Sequence, residues 1–296
     1  IAFWTIASPV VGFGHLRRCL TLADELAERG HKCVFFVNDS AKHLITNHEV
    51  SRRALKDCDI EAMVQDDPNT TLRGFQFPMM ILRDDPFEGF SGDIWKGENA
   101  ECFRGLAYTL LRPQFRDLPP RTVNANVDRV LVTMGGSDPK GLTLPVVKAV
   151  RAALPAAQID VVYGPFTVPA ITEEFLEDAR GLVRVRYSHE NTAALMLAAD
   201  IAVSAGGQTL FELAACGTPT VGIKVAENQE LNLLQCERAG TLLRSTDDGI
   251  DLRGALRSLE AQAIRQHMSA AGQKLVDGYG AKRVADIFLK AIHENR

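Results

Sequence analysis

Residues 200–229 read DIAVSAGGQTLFELAACGTPTVGIKVAENQ, and their pattern is that of one repeating unit of an α/β fold. An apolar run at residues 201–204 leads into a Gly-Gly turn, and a helical pattern begins at Thr209. A second apolar run, at residues 220–223, follows that helix. Strand, turn, helix and strand in this order form a βαβ unit, which implies a parallel sheet covered by helices.

The same alternation extends outward from this stretch in both directions. The predicted strands are residues 2–7, 34–37, 130–133, 159–163 and 183–186, and the predicted helices are residues 15–28, 142–154, 171–179, 192–198 and 231–238. Pro113, Pro119 and Pro120 interrupt the pattern between its two halves. We therefore predict two Rossmann-like, doubly wound domains, residues 1–118 and 119–296, facing a central cleft. The last predicted helix, residues 281–293, fits either domain.

The middle of the first half gives weaker patterns. We predict a helix at residues 41–48, a loop at residues 65–74 and a strand at residues 106–111. Asp84 and Asp85 lie in a polar stretch, where adjacent acids are more often a solvated loop than a catalytic pair.

Composition excludes several classes of protein. The 296 residues are 46% hydrophobic and 24% charged, which is typical of globular chains and excludes disorder and coiled-coil rods. A net charge of −4 supplies no general field for nucleic acid or anionic lipid, so we predict neither as a partner. No uncharged stretch reaches the length of a membrane helix. The six cysteines form no C-x-x-C pair, which favours reduced thiols in the cytoplasm.

The turn at residues 204–209 is a candidate site for a phosphate or diphosphate. Gly206 and Gly207 allow a ligand to approach the backbone, and the N–H groups at the start of the following helix point outward with the positive end of its dipole. Gln208 and Thr209 can add side-chain donors, and Glu212 can accept both hydroxyls of a ribose. The alternative is that a Gly-rich connection and a favourable helix-start carboxylate serve the fold alone.

Two further turns follow strands in the same half. Gly135-Gly136-Ser137 can contact phosphate, or form only the tight turn that the following Asp-Pro favours. Asn228 and Gln229 offer amides for sugar or phosphate oxygens, although Asn228 fits an N-cap equally well.

The first half has its own candidate in Gly12-Phe-Gly-His-Leu-Arg-Arg18, a turn that runs into a helix. At the helix start the dipole opposes protonation of His15, which leaves the imidazole neutral and available as a base. Of Arg17 and Arg18, we expect one to face the cleft or an acid and the other to face solvent. The alternative is a satisfied structural histidine. The other histidines lack metal-ligand spacing apart from the weak neighbour pair His189-Glu190, so we predict no metal and no cofactor.

Taken in order, these motifs resemble a known family. The series comprises Gly-x-Gly-His-x-x-Arg18, the run 103–115 ending Leu-Leu-Arg-Pro-Gln-Phe, Gly-Gly-Ser-Asp-Pro139, the block 206–229, and Val-Asp-Gly-Tyr-Gly-Ala-Lys-Arg283. It resembles the UDP-sugar hydrolases of the pseudaminic acid pathway and their spore-coat-polysaccharide relatives. The second half more distantly resembles the transferase that adds N-acetylglucosamine to the lipid-linked cell-wall precursor. Both resemblances imply the GT-B architecture.

The resemblance also implies an activity, which is metal-independent hydrolysis of UDP-2,4-diacetamido-2,4,6-trideoxy-altropyranose by inverting attack of water. His15 would be the base, residues 205–209 would hold the diphosphate, and Glu212 the ribose. Two alternatives are an inverting glycosyltransferase with the same UDP-sugar donor and a non-catalytic nucleotide-sugar binder. We expect a monomer or weak homodimer. The predicted substrate-binding set is Gly14, Arg17, Gly135, Gly136, Ser137, Ala205, Gly206, Gly207, Gln208, Thr209, Glu212, Asn228 and Gln229.

One part of the chain departs from the family pattern. The family carries a further strand and an Asp-containing segment before the region that matches Leu82-Arg-Asp-Asp85. Residues 51–80 are short and polar, and their sequence shows no strand signal. We therefore predict a sugar-binding side that is contracted or incomplete, which leaves the exact sugar open.

Overall fold

The computed structural model describes residues 1–67, 77–85, 89–96, 99–187, 191–245 and 252–294. The chain forms two compact units. Unit 1 comprises Ile1–Pro113 and Gly278–Arg296, and unit 2 comprises Gln114–Asp277. Each unit is built on its own β-sheet.

Unit 1 has a seven-stranded sheet. Its strands are β1 (Ala2–Thr5), β2 (Val34–Phe36), β3 (Glu49–Val50), β4 (Met63–Asp66), β5 (Met79–Asp85), β6 (Gly89–Lys96) and β7 (Asn99–Arg104). Their spatial order is β3-β2-β1-β4-β5-β6-β7, in which the first five are parallel and the last two antiparallel. The helices between these strands are α1 (Gly14–Glu28) and α2 (Asp39–Lys42).

Helix α1 forms because its apolar residues recur at steps of three and four. Leu16, Cys19, Leu22 and Leu26 are fully buried on one face, which packs against β1 and β4. Gly30, at φ +86°, ends the helix in a left-handed conformation that favours glycine. The predicted helix at residues 15–28 is confirmed, and its first turn lies beside the carboxyl ends of β1 and β4.

Unit 2 has a six-stranded, wholly parallel sheet. Its strands are β8 (Arg129–Thr133), β9 (Gln158–Tyr163), β10 (Val183–Tyr187), β11 (Ile201–Ala205), β12 (Thr220–Ile223) and β13 (Leu242–Arg244). Its helices are α3 (Thr143–Ala153), α4 (Glu173–Asp178), α5 (Thr192–Ala198), α6 (Thr209–Ala215), α7 (Glu230–Arg238), α8 (Arg253–Glu260) and α9 (Gln262–Leu275). The central strands are runs of buried apolar residues, as expected for parallel strands covered on both faces.

The last helix, α10 (Gly280–Glu294), packs against α1 and so belongs to unit 1. Its Asp286 accepts a hydrogen bond from Arg29 at 3.1 Å. Gly280 lies directly on the backbone of Tyr108 and Thr109, where a Cβ atom would have no room. The sequence left the place of this helix open.

Both sheets share one topological feature. In unit 2 the order is β10-β9-β8-β11-β12-β13, so the chain moves outward from β8 in one direction and then restarts beside it with β11. In unit 1 the same reversal lies between β1 and β4. Ligands of doubly wound folds bind outside the carboxyl ends of the strands at this switch point.

Several expectations for the first half are wrong. Residues 51–80 do contain a strand, β4, which lies between β1 and β5. Strand β4 has only two apolar residues, Met63 and Val64, and it is stabilised by pairing with a neighbouring strand on each side. Asp84 and Asp85 belong to β5, not to a loop. Residues 106–111 hold a short 3-10 helix, Leu106–Tyr108, instead of a strand. The helix predicted at residues 41–48 is the shorter α2.

Candidate functional site

The switch point of unit 1 brings together two residues that are 51 positions apart in the chain. Asp66 is the last residue of β4 and pairs in register with Thr5, the last residue of β1. His15 lies in the first turn of α1, which follows β1. The Nδ1 atom of His15 lies 2.7 Å from Oδ1 of Asp66. The Thr5 hydroxyl donates to the Asp66 backbone carbonyl at 3.0 Å, which fixes the strand end.

Arg18 binds the same carboxylate. Its Nε donates to Oδ2 of Asp66 and its Nη2 to Oδ1, both at 2.8 Å, which is a two-point pairing of guanidinium and carboxylate. Side chains three residues apart share one helix face, so His15 and Arg18 reach Asp66 together. The side chains of Arg18 and Asp66 are 8% and 2% exposed, and the Arg18 guanidinium lies 5.6 Å from the centre of the Phe90 ring.

This geometry selects one tautomer of His15. A carboxylate only accepts hydrogen bonds, so a 2.7 Å contact with Nδ1 requires the hydrogen on Nδ1. Nη2 of Arg18 also lies 2.9 Å from Nδ1; it carries two hydrogens and donates one of them to the same carboxylate oxygen. With the hydrogen assigned to Nδ1 on the Asp66 contact, the lone pair of the neutral imidazole is on Nε2. The side chain of His15 is 12% exposed.

The charge of Asp66 follows from opposing effects. Burial raises the pKa of its carboxyl, but the Arg18 guanidinium and then the His15 imidazole lower it, and the resulting pKa lies below the usual value. Asp66 is therefore ionised at neutral pH although it is buried. An ionised carboxylate at Nδ1 both orients the imidazole and stabilises the imidazolium that forms when Nε2 takes up a proton.

The same pKa predicts how stability changes with pH. The folded pKa of Asp66 is below the unfolded value of about 3.9, so its stabilising effect is complete above about pH 4 and is lost as the pH falls through the folded pKa. We expect the difference in unfolding free energy between wild type and Asp66→Asn to be largest above about pH 4 and to shrink below it. Urea unfolding followed by circular dichroism measures this difference, and a gap that widens in acid would contradict it.

The segment before His15 is held by the end of the neighbouring strand. The amide side chain of Asn38, just after β2, accepts from the Ala7 N–H at 3.1 Å and donates to the Ala7 carbonyl at 2.8 Å. Ser40 donates to the same carbonyl at 2.9 Å. Arg17, which we predicted to bind substrate, stacks 4.5 Å over the Phe13 ring, and it is Arg18 that faces the acid. Gly14 is the first residue of α1.

The switch point of unit 2 lies between β8 and β11, and each of these strands ends in a predicted glycine turn. After β11, Gly206 donates to Ile223 at 3.0 Å and to the Gln229 side chain at 3.1 Å. Within the described residues, the N–H groups of Gly207 and Thr209 donate to no protein acceptor. Helix α6 has only seven residues, so an anion at this turn would depend more on these N–H groups than on a macrodipole.

The second turn follows β8. Its Asp138 side chain accepts from the N–H groups of Leu142 and Thr143 at 2.8 Å and so caps the start of α3. Gly135, at φ +76°, and Gly136 and Ser137 form the part of the turn that remains outside this cap. The register pairs Thr133 with Ser204, which places the two turns side by side at the same sheet edge.

Gly164 packs directly against the backbone of this turn and leaves no room for a side chain. A Cβ atom here would lie 2.6 Å from the Gly136 Cα and closer still to the Gly135 carbonyl oxygen, and neither backbone atom can rotate away. We expect Gly164→Ala to lower the unfolding free energy by about 1–3 kcal/mol. The control is Gly254→Ala in α8, where the added methyl meets nothing within 4 Å. Equal stability of both variants in urea unfolding would contradict the prediction.

The other residues that we predicted to bind substrate lie at the end of β11, in α6 and in the segment before α7. Ala205 ends β11 and Glu212 is 5% exposed, one turn into α6. Gln229 acts on the turn itself, because its side-chain oxygen accepts from both Gly206 and Val225 at 3.1 Å. Asn228 is exposed in a short 3-10 helix, Glu227–Gln229, and does not cap α7.

Sequence reasoning missed Asp66 and did not assign Arg18. The only signal for Asp66 is the short run Ala62-Met63-Val64 directly before it, which is too brief to indicate a strand by periodicity. The His189-Glu190 pair lies outside the described residues. Within the part of the chain that the structure describes, no three His, Cys, Asp or Glu side chains cluster so as to hold a metal ion. No helix there is long and apolar enough to cross a bilayer.

Comparison with known proteins gives two sequence relatives. The chain is 25% identical to the spore coat polysaccharide biosynthesis protein SpsG of Bacillus subtilis, over 67% of this chain and 62% of that protein. It is 23% identical to an uncharacterised protein of Methanocaldococcus jannaschii, over 75% of this chain and 54% of that protein. The aligned regions thus span less than two thirds of the length of these relatives. No family model matches the chain.

Solved structures show the fold. MurG of Acinetobacter baumannii superimposes with a TM-score of 0.63 over 98% of this chain and 99% of its own, at 13% identity. WaaG, a glycosyltransferase involved in lipopolysaccharide biosynthesis, gives 0.59 over 97% and 99%, at 15% identity. The calicheamicin glycosyltransferase CalG4 gives 0.62 over 99% and 98%, at 13% identity. The chain is SpsG-like in sequence and has the GT-B fold of MurG and WaaG.

Proposed function

We propose that this protein hydrolyses a UDP-activated diacetamido-trideoxy hexose, of the UDP-2,4-diacetamido-2,4,6-trideoxy-β-L-altropyranose type, with release of UDP. The observation that carries the proposal is the His15–Asp66 pair, in which a buried, ionised carboxylate holds an imidazole with its lone pair on Nε2. A histidine prepared in this way is suited to take a proton from water. The likeness to a spore coat polysaccharide biosynthesis protein supports a role in making nonulosonic acids or surface polysaccharides.

The proposed reaction is a single displacement at the anomeric carbon. Nε2 of His15 accepts a proton from water while the water oxygen bonds to the anomeric carbon, and the bond from that carbon to the UDP oxygen breaks. The configuration at the carbon inverts, and Asp66 stabilises the imidazolium. UDP leaves with the electron pair of the broken bond, and its charge is stabilised by the N–H groups of the two glycine turns of unit 2.

We assign the nucleotide to unit 2 because the two turns and Glu212 lie together at its switch point. Gly207, Thr209, Gly136 and Ser137 are the proposed contacts of the diphosphate. Glu212, which is buried beside the turn, is the proposed acceptor for the ribose hydroxyls. Gln229 supports this site by holding the Gly206 turn.

A second candidate is an inverting glycosyltransferase that uses a UDP-sugar donor. It is favoured by the GT-B fold shared with MurG, WaaG and CalG4. In that reaction His15 deprotonates an acceptor hydroxyl in place of water. A non-catalytic nucleotide-sugar binder is less consistent with the site, since nucleotide binding alone gives no reason to maintain a buried His–Asp–Arg cluster.

One assay separates these functions. The purified protein is incubated with the UDP-diacetamido-trideoxyhexose without any acceptor, and UDP release is followed by phosphorus NMR. Catalytic release of UDP supports the hydrolase. Release that occurs only after a sugar or lipid-linked acceptor is added supports the transferase, and tight UDP binding without release in either case supports the binder.

A further inference from the structure

Lys140 links two segments at the carboxyl edge of the unit 2 sheet. It follows β8, yet its Nζ donates to the carbonyl oxygen of Lys224, which follows β12, at 3.3 Å. Strand β11 lies between β8 and β12, and neighbouring strands are about 4.8 Å apart. Lys140 therefore links the segments that follow β8 and β12, the two strands on either side of β11, and β11 ends at the Gly206-Gly207 turn proposed for the diphosphate.

The other cations at this edge are already neutralised. The Lys224 ammonium pairs with Glu227 at 2.9 Å and with Glu230 at 3.3 Å. Arg244 also pairs with Glu230, at 2.6 Å. Lys140 makes no ion pair with any residue in the described ranges, and its partner is one exposed carbonyl oxygen with only a partial negative charge.

We propose that Lys140 determines specificity for the diphosphate of the nucleotide, by exchanging the Lys224 carbonyl for phosphate oxygens when the nucleotide binds at the Gly206 turn. The inference rests on the proposed function, because it requires the nucleotide at that turn. A diphosphate offers the ammonium full negative charge where the carbonyl offers a weak dipole, so the exchange is favourable. The chain as a whole carries a net charge of −4, so attraction for an anion has to come from local groups, and Lys140 is one of them.

The test compares three ligands across three variants. Isothermal titration calorimetry gives the affinities of UDP, UMP and uridine for wild type, Lys140→Met and Lys140→Arg at low and moderate salt. We expect Lys140→Met to weaken UDP binding roughly 3- to 10-fold and to leave uridine binding unchanged. Lys140→Arg retains the charge and restores most of the loss. UDP affinity should also depend less on salt in Lys140→Met. The matched control is Lys148→Met, an exposed lysine on α3.

Each other outcome overturns the inference in a recognisable way. If Lys140→Met weakens UDP and uridine equally, Lys140 is only a structural link between two turns. If Lys140→Met binds UDP as Lys148→Met does, Lys140 does not contact the phosphates, and the proposed function stands without it. If wild type binds UDP no better than uridine, the diphosphate site itself is absent, and the proposed function fails together with this inference.

Discussion

Replacement of His15 by asparagine is expected to lower the rate of UDP release by about 10² or more and to leave the affinity for UDP unchanged. Asparagine keeps a polar side chain at the start of α1 but cannot accept a proton from water at neutral pH. The proposed UDP contacts belong to unit 2, so removing the imidazole of unit 1 affects the chemical step and not nucleotide binding. Steady-state rates from phosphorus NMR and UDP titration by calorimetry measure the two quantities.

The control for this variant is His43→Asn, which changes an exposed histidine of unit 1 beyond the end of α2. It should keep the wild-type rate. An unchanged rate in His15→Asn would remove His15 from the mechanism. A loss of UDP affinity equal to the loss of rate would instead assign His15 to substrate binding.

Replacement of Asp66 by alanine should have the largest effect on stability. It leaves the Arg18 guanidinium, 8% exposed, without the carboxylate that accepts from its Nε and Nη2. Breaking a buried ion pair from one side costs about 3–5 kcal/mol, because the remaining charge is uncompensated. Urea unfolding measures this loss of unfolding free energy. The folded fraction should also lose activity, because nothing then holds the hydrogen of His15 on Nδ1.

Two controls separate this effect from a general loss of a charge. Asp24 makes a similar contact with His48, 2.7 Å from Nε2, but its side chain is 44% exposed. Asp24→Ala should therefore cost no more than about 1 kcal/mol. The double variant Asp66→Ala, Arg18→Met removes both charges and should recover much of the stability without recovering activity. If Asp66→Ala were as stable as Asp24→Ala, the buried pair of Arg18 and Asp66 would not contribute the expected share of the unfolding free energy.

The unit 2 part of the candidate site could be located in the sequence because its signals are local. The strand ending at Ala205, the Gly206-Gly207 turn and Glu212 lie within eight residues of one another. Buried parallel strands are continuous apolar runs, which sequence patterns reveal directly. The structure therefore shows the strands where the apolar runs predicted them.

Of the unit 1 part of the candidate site, the sequence indicated His15 but not Asp66. His15 follows a visible strand and opens a clearly amphipathic helix, so its place was apparent. Asp66 was not, because β4 has four residues and depends on pairing with β1 and β5 for its existence. Its pairing with Arg18, 48 residues earlier, is a tertiary contact that no local pattern encodes. We predicted a contracted sugar-binding side because the sequence of residues 51–80 did not reveal this strand.

The central claim is that water, activated by His15, attacks the anomeric carbon of a UDP-sugar. The most direct measurement is phosphorus NMR of the UDP released by wild-type protein in water enriched in oxygen-18, without an acceptor. Attack at carbon breaks the bond between sugar and oxygen, so the account predicts release of UDP with no oxygen-18 on its β-phosphate. Oxygen-18 on that phosphate would show attack at phosphorus, and no release of UDP would show no hydrolysis; either result contradicts the account.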